Sequence, residues 1–148
     1  MSSISSLAEP AQSQPEWKEW LAELLPDQGA WTEEEYLVLT HSTRSLVEFT
    51  DGYLEKLPMP TDEHQSILQY LFLAFHQFIE PQGGKVQFAA LRLRIRPGKF
   101  REPDLILLQS SADPRRQNRF WTGADLVLEV VSEDHPERDT IEKRADYA

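Results

Sequence analysis

Apolar positions along the chain fall into segments whose spacing alternates between helical and strand-like. Over residues 16–25, Trp17, Trp20, Leu21, Leu24 and Leu25 share one helical face, and Pro26 to Gly29 ends the segment. Thr32 and Glu35 match a capping box, in which each side chain satisfies a free backbone N–H, so a short helix is expected to about His41. Asp51-Gly52 separates two β-rich runs, LVEFT and YLEKL. A type I′ turn needs φ > 0 at both central positions, so this pair marks a hairpin. Ile67, Leu68, Leu71, Phe72, Phe75, Phe78 and Ile79 predict a long amphipathic helix over about 62–80, with Asp62 and Gln65 as its capping pattern. Pro81, Gly83 and Gly84 close it.

Two strands are expected next, in 85–96 and 103–109. Leu91, Leu93 and Ile95 alternate with Arg92, Arg94 and Arg96, the pattern of one buried and one wet face. LILL at 105–108 is wholly apolar, as a central strand would be. Residues 110–122 lack periodicity and are expected as a loop, DLVLEVV at 125–131 as a further strand, and the chain from about Arg138 as a helix. The order of elements predicts an α+β or α/β fold, with a mixed sheet flanked by helices. Residues 1–15, rich in Ser, Pro and Gln, are expected to be a disordered tail.

At 148 residues the chain is the size of one domain. With 25 acidic against 15 basic residues its net charge is −10, which argues against coating nucleic acid through bulk charge. The absence of cysteine excludes disulfides, thiolate catalysis and Cys-ligated zinc. His41, His64, His76 and His135 form no HExxH or HxH motif, so a His-rich zinc site is not expected. No apolar run approaches the roughly 18–20 residues of a membrane span, and the N-terminus lacks signal-peptide regions. The expectation is a cytoplasmic, soluble domain with no membrane partner.

Several residues could carry chemistry. Asp104 follows Pro103 at the mouth of the LILL strand; it is either a turn acid or a carboxylate fixed at a strand end. Glu129 interrupts DLVLEVV on the face of Val127 and Val131, where it must face water, pair with an arginine or meet another cation. Two such carboxylates on neighbouring strands can bracket Mg²⁺ (or Mn²⁺), an ion bound by few carboxylates plus waters and phosphate oxygens. Asp139, Lys143 and Tyr147 share one helical face at i, i+4, i+8; this is a surface ion pair or a lysine aimed at the carboxylates. Glu48 is a further metal-supporting acid or a hairpin surface acid, and His64 is a phosphate or carboxylate contact or a plain first-turn residue. Residues 85–101 carry +6 with no acid, leaving −16 on the rest. Arg92, Arg94 and Arg96 therefore either meet a phosphate backbone or balance acids elsewhere in the fold.

The ordered series WTEEEYLVL, VEFTDGYLEKL, a helix opened near His64, EPDLILL, LVLEVVS and DTIEKRADYA resembles the Uma-type restriction endonucleases, within the PD-(D/E)XK nuclease superfamily. The resemblance covers about residues 31–148 and leaves an N-terminal helix in 16–30 outside it. It implies a restriction-endonuclease-like core with a metal site at one sheet edge. Pro103-Asp104 matches the PD element, Glu129 the (D/E) position, Glu48 the acid before the DG turn, and His64 the His after the hairpin. Asp139, Lys143 and Tyr147 match a DxxxKxxxY helix. The XK lysine position is Val131, and the resemblance implies that Lys143, from the following helix, replaces it. Family members usually continue with a segment like EYWIVDP, so the domain is expected to be shortened at its C-terminus. The implied activity is Mg²⁺-dependent cleavage of DNA by a homodimer. Asp104 and Glu129 would hold the ion, Glu48 and Lys143 would join them in catalysis, and Asp139 and Tyr147 would support them. His64, Arg92, Arg94 and Arg96 would contact substrate. The alternative is a catalytically inactive nucleic-acid- or protein-binding module on the same fold.

Overall fold

The Asp51-Gly52 turn forms as the sequence requires. Both residues have positive φ, 48° and 90°, and they join β1 (Val47–Thr50) to β2 (Tyr53–Lys56) as an antiparallel hairpin. Gly52 is required for a second reason: a Cβ there would lie 2.4 Å from the Gly29 carbonyl oxygen. This computed structural model describes residues 16–131, 133 and 136–148; the tail expected over 1–15 lies outside them.

α1 (Glu16–Glu23) forms within the expected span, yet it buries no residue, and Trp17 and Trp20 are more than half exposed. α2 (Glu33–Ser42) opens on the full capping box. The Thr32 N–H donates to Glu35 Oε2 at 2.8 Å, and the Glu35 N–H donates to Thr32 Oγ1 at 3.2 Å. α2 buries Tyr36 and Leu37 against Val47, Phe49 and Phe100. The buried Tyr36 hydroxyl donates to the Val47 carbonyl at 2.9 Å, which fixes α2 to β1.

α3 (Asp62–Ile79) is the long helix expected over 62–80. Its cap lies one residue earlier than expected: Thr61, rather than Asp62, accepts the N–H of His64 at 3.2 Å. A 3-10 turn at Glu80–Gln82 and Gly83, at φ 88°, end it.

The span expected as one strand over 85–96 is two, β3 (Lys85–Phe88) and β4 (Leu93–Arg96), with the chain turning between them. They join different sheets. β4 pairs with β5 (Lys99–Arg101), a strand the sequence pattern did not reveal, in the order β2-β1-β5-β4. β3 pairs with β6 (Leu105–Leu108) in the order β3-β6-β7, where β7 is Leu126–Leu128. The fold is α/β as expected, but its strand pairings make two antiparallel sheets rather than one mixed sheet. Among the described residues, parallel pairing is confined to an isolated bridge between Leu93 and Trp121.

β6 is buried throughout, which explains its continuous apolar run. Leu105 and Leu107 pack with Leu68, Ile79 and Val86 beneath α3, while Ile106 and Leu108 pack with Leu93 and Trp121 on the other face. β7 is shorter than the span 125–131. Its pairing stops where the Val130 N–H donates to Asp104 Oδ2 at 2.8 Å, so a carboxylate takes the donor that a longer ladder would have used. The C-terminal helix expected from Arg138 begins as a π-helical turn, Arg138–Glu142, and continues as α4 (Lys143–Tyr147). No helix among the described residues is long and apolar enough to cross a membrane.

Candidate active site

The sheet end that β6 and β7 share opens into a cleft of about 350 Å³. One wall comes from Leu57 and Met59, between β2 and α3, and from Ile67 on α3; the other carries Asp104, Glu129, Asp139 and Lys143. Asp104 sits one residue before β6 and Glu129 one residue after β7. Because the two strands are antiparallel and Leu105 pairs with Leu128, these two positions come to the same edge.

Each carboxylate is held through one oxygen. Asp104 Oδ2 accepts from Val130 N and lies 3.1 Å from His64 Nε2. Glu129 Oε1 lies 3.0 Å from Lys143 Nζ and accepts the Tyr147 hydroxyl at 2.7 Å. Asp104 Oδ1 and Glu129 Oε2 accept no hydrogen bond among the described residues. Lys143 Nζ also lies 3.1 Å from Asp139 Oδ1. The i, i+4, i+8 face of Asp139, Lys143 and Tyr147 therefore converges on Glu129, and the surface ion-pair alternative does not hold: the Lys143 side chain is 7% exposed.

Burial dominates the electrostatics. Desolvation pushes the Glu129 carboxyl up to about 7, although the Lys143 ammonium and the Tyr147 hydroxyl oppose the rise, and the charge of Asp104 adds to it. Burial alone would lower Lys143; the Glu129 and Glu48 carboxylates outweigh it and hold the ammonium above its ordinary value. Burial and the neighbouring Glu129 charge raise the Tyr147 phenol, so it stays a donor. A buried carboxylate that faces another carboxylate is a place where added positive charge is favoured. Among the described residues no three His, Asp or Glu side chains form a metal-holding group. Two carboxylates, each with an oxygen unbonded among the described residues, still fit the habit of Mg²⁺, which takes one or two carboxylates and completes its shell with water and phosphate.

His64 joins the cleft from the first turn of α3 through its bond to Asp104. Glu48 does not line it. Glu48 is 1% exposed, so it is no hairpin surface acid; Oε2 meets Arg101 at 2.6 Å and Arg138 at 2.5 Å, and Oε1 accepts the Glu102 N–H at 3.2 Å. Arg92, Arg94 and Arg96 are also placed elsewhere. Arg92 donates to Thr40 Oγ1 and to the Leu37 and Arg119 carbonyls, Arg94 to Glu33, and Arg96 to Asp51. Arg94 and Arg96 thus balance acids of the same chain, while Arg92 is held by a hydroxyl and two carbonyls.

Glu102 and Arg138 also line the cleft and escaped the sequence reading. Glu102 is buried, accepts the Val47 N–H at 2.9 Å, and is pushed up to about 7 by desolvation that this bond only partly offsets. Its signal was its place directly before Pro103-Asp104. Arg138 had no local signal, because its partners Glu48 and Glu55 lie 90 and 83 residues away.

A family model described as "Uma2: Putative restriction endonuclease" matches residues 33–148. The chain belongs to the Uma2 family. The match covers Asp104, Glu129, Lys143 and every other cleft residue named above, and it leaves α1 outside. No curated protein matches this Uma2 chain. Among solved structures, it is similar to a crystal structure of a protein titled a putative nuclease belonging to DUF820, from Anabaena variabilis. The two are 21% identical with a TM-score of 0.63, over 76% of this chain and 65% of the other. The likeness is one of fold, and this chain spans about 65% of the length of that relative.

Proposed function

We propose that the cleft is the active site of a Mg²⁺-dependent DNA endonuclease. The observation that carries this reading is the meeting of Asp104, Glu129 and Lys143 at one strand edge: two carboxylates, each with an oxygen unbonded among the described residues, and a buried ammonium 3.0 Å from one of them. Family membership and the nuclease-titled fold neighbour support it.

Asp104 and Glu129 would hold the ion, which supplies polarisation of the phosphodiester and a more acidic bound water. Lys143 would bring a fixed positive charge to the attacking oxygen and to the charge that develops on phosphorus. His64 orients Asp104 through Nε2, and Tyr147 orients Glu129 through its hydroxyl. Asp139 shares the Lys143 ammonium and sets its position. Glu48 acts from behind, by holding Arg101 and Arg138. Two copies on a two-fold duplex complete the proposal.

The test is cleavage of supercoiled and linear DNA with Mg²⁺ or Mn²⁺. Wild type should nick or cut in a metal-dependent way, and Asp104→Asn should not; cleavage that survives the substitution would sink the assignment. Sedimentation that shows only monomer on a duplex would remove the dimer. A non-catalytic binding module is the second reading. It is favoured by one observation, that Lys143 is already shared between two carboxylates, and duplex binding without metal-dependent cleavage would establish it.

A further inference from the structure

The cleft is acidic, yet the proposed substrate is a polyanion, so a cation must be available to receive a phosphate. Lys143 is engaged by Glu129 and Asp139, and His64 by Asp104. Arg138 differs. It lines the cleft, and its guanidinium spans two acids of the β1–β2 hairpin, Glu48 and Glu55. Those acids are directly opposite each other in the antiparallel register, a like-charge pair that would repel without a cation between them.

The two halves of this bridge are unequal. Glu48 is 1% exposed and is also paired to Arg101, so that half is buried and doubly held. Glu55 is 58% exposed on β2 and, among the described residues, meets Arg138 through Nη1 alone. An exposed pair of this kind contributes little and exchanges readily. The Arg138 Nε is buried and has no hydrogen-bond partner among the described residues. Displacing Glu55 would leave Nη1 to donate to an arriving phosphate, a charge-assisted bond from a side chain that stays charged at any working pH.

We propose that Arg138 is the phosphate-binding residue of the cleft and that Glu55 is its resting partner, displaced when a substrate phosphate arrives. This inference rests on the nuclease reading. Glu48 stays on Arg138 throughout and keeps the guanidinium aimed, while Glu55 acts as an internal competitor. The competitor predicts an effect of opposite sign from a structural salt bridge. Removing Glu55 should tighten substrate binding, whereas a pair that merely ties the C-terminal helix to the hairpin would leave binding unchanged or weaken it when cut.

The experiment is fluorescence anisotropy of a labelled DNA duplex with the full chain in EDTA, across a salt series. Wild type, Glu55→Gln and Arg138→Gln are compared. Glu55→Gln should bind about two- to fivefold more tightly, the worth of an exposed ion pair. Arg138→Gln should bind about tenfold more weakly, with a salt slope shallower by about one phosphate contact. The double variant should bind as Arg138→Gln does, because the competitor matters only while the arginine is present. Equal or weaker binding by Glu55→Gln overturns the proposal while leaving the nuclease reading intact. Absence of duplex binding by wild type in EDTA also overturns this proposal, while metal-dependent cleavage separately decides the nuclease reading. A circular dichroism melt of Arg138→Gln accompanies the titration; if that variant is unfolded, the Glu55→Gln result alone decides.

Discussion

Replacing Lys143 by methionine keeps the aliphatic stem and removes the ammonium that joins Glu129 to Asp139, at 3.0 and 3.1 Å. All three side chains are under one tenth exposed, so solvent cannot take over the pairing. Breaking a buried pair by removing one partner costs about 3–5 kcal/mol. The cost depends on pH, because Glu129 can escape it by taking up a proton. In the wild type its carboxyl is already held at about 7, against an ordinary 4.5. The folded state therefore binds a proton that the unfolded chain has released, and stability falls as pH rises from 4.5 through about 7. Without the ammonium the folded carboxyl moves higher still, so the variant goes on losing stability above pH 7, where the wild type has levelled. At about 1.4 kcal/mol per pH unit, the gap between the two should be about 1 kcal/mol wider at pH 8 than at pH 5.5. Urea unfolding read by tryptophan fluorescence measures this, with Trp121 buried in the core beside Tyr147 as the reporter. A loss below about 1 kcal/mol at pH 8, or a gap that narrows as pH rises, would refute the reasoning.

Glu102→Gln keeps an acceptor for the Val47 N–H but removes a buried acid that is also held at about 7. The decline of wild-type stability between pH 5 and pH 8 should flatten in this variant, and an unchanged urea profile across that range counts against it. Thr32→Ala removes one side of the capping box and should cost about 1 kcal/mol in thermal unfolding; combined with Glu35→Ala it should cost less than the two singly added. Tyr36→Phe orphans the buried Val47 carbonyl and should cost about 1 kcal/mol, read as a lower urea midpoint at constant slope.

Features set by neighbours in sequence were legible. The Asp51-Gly52 turn, the Thr32–Glu35 box and the LILL strand each follow from a few adjacent residues, and each formed. Alternation also placed Glu129 correctly: Val127 and Tyr147 lie on its side of the sheet, and Leu128 and Val130 on the other. β5 was hidden because three residues are too few to show a period, and its Lys99 and Arg101 stood out only as part of the +6 over residues 85–101. Arg101 is in fact 5% exposed, buried by Glu48 and Asp146, which lie 53 and 45 residues away. The same distance in sequence hid Arg138. It also made the charge pattern of Arg92, Arg94 and Arg96 misleading, since Glu33 and Asp51, which neutralise two of them, come from separate segments. Local pattern could mark these residues as charged but could not show which charge would meet them.

The central claim is that Asp104 and Glu129 share one divalent ion. Isothermal titration of the chain with Mn²⁺, beside Asp104→Asn, tests it most directly. One site per chain is expected, abolished by the substitution, with affinity rising as Glu129 loses its proton near pH 7. No binding at millimolar Mn²⁺, or binding that Asp104→Asn leaves unchanged, would contradict it.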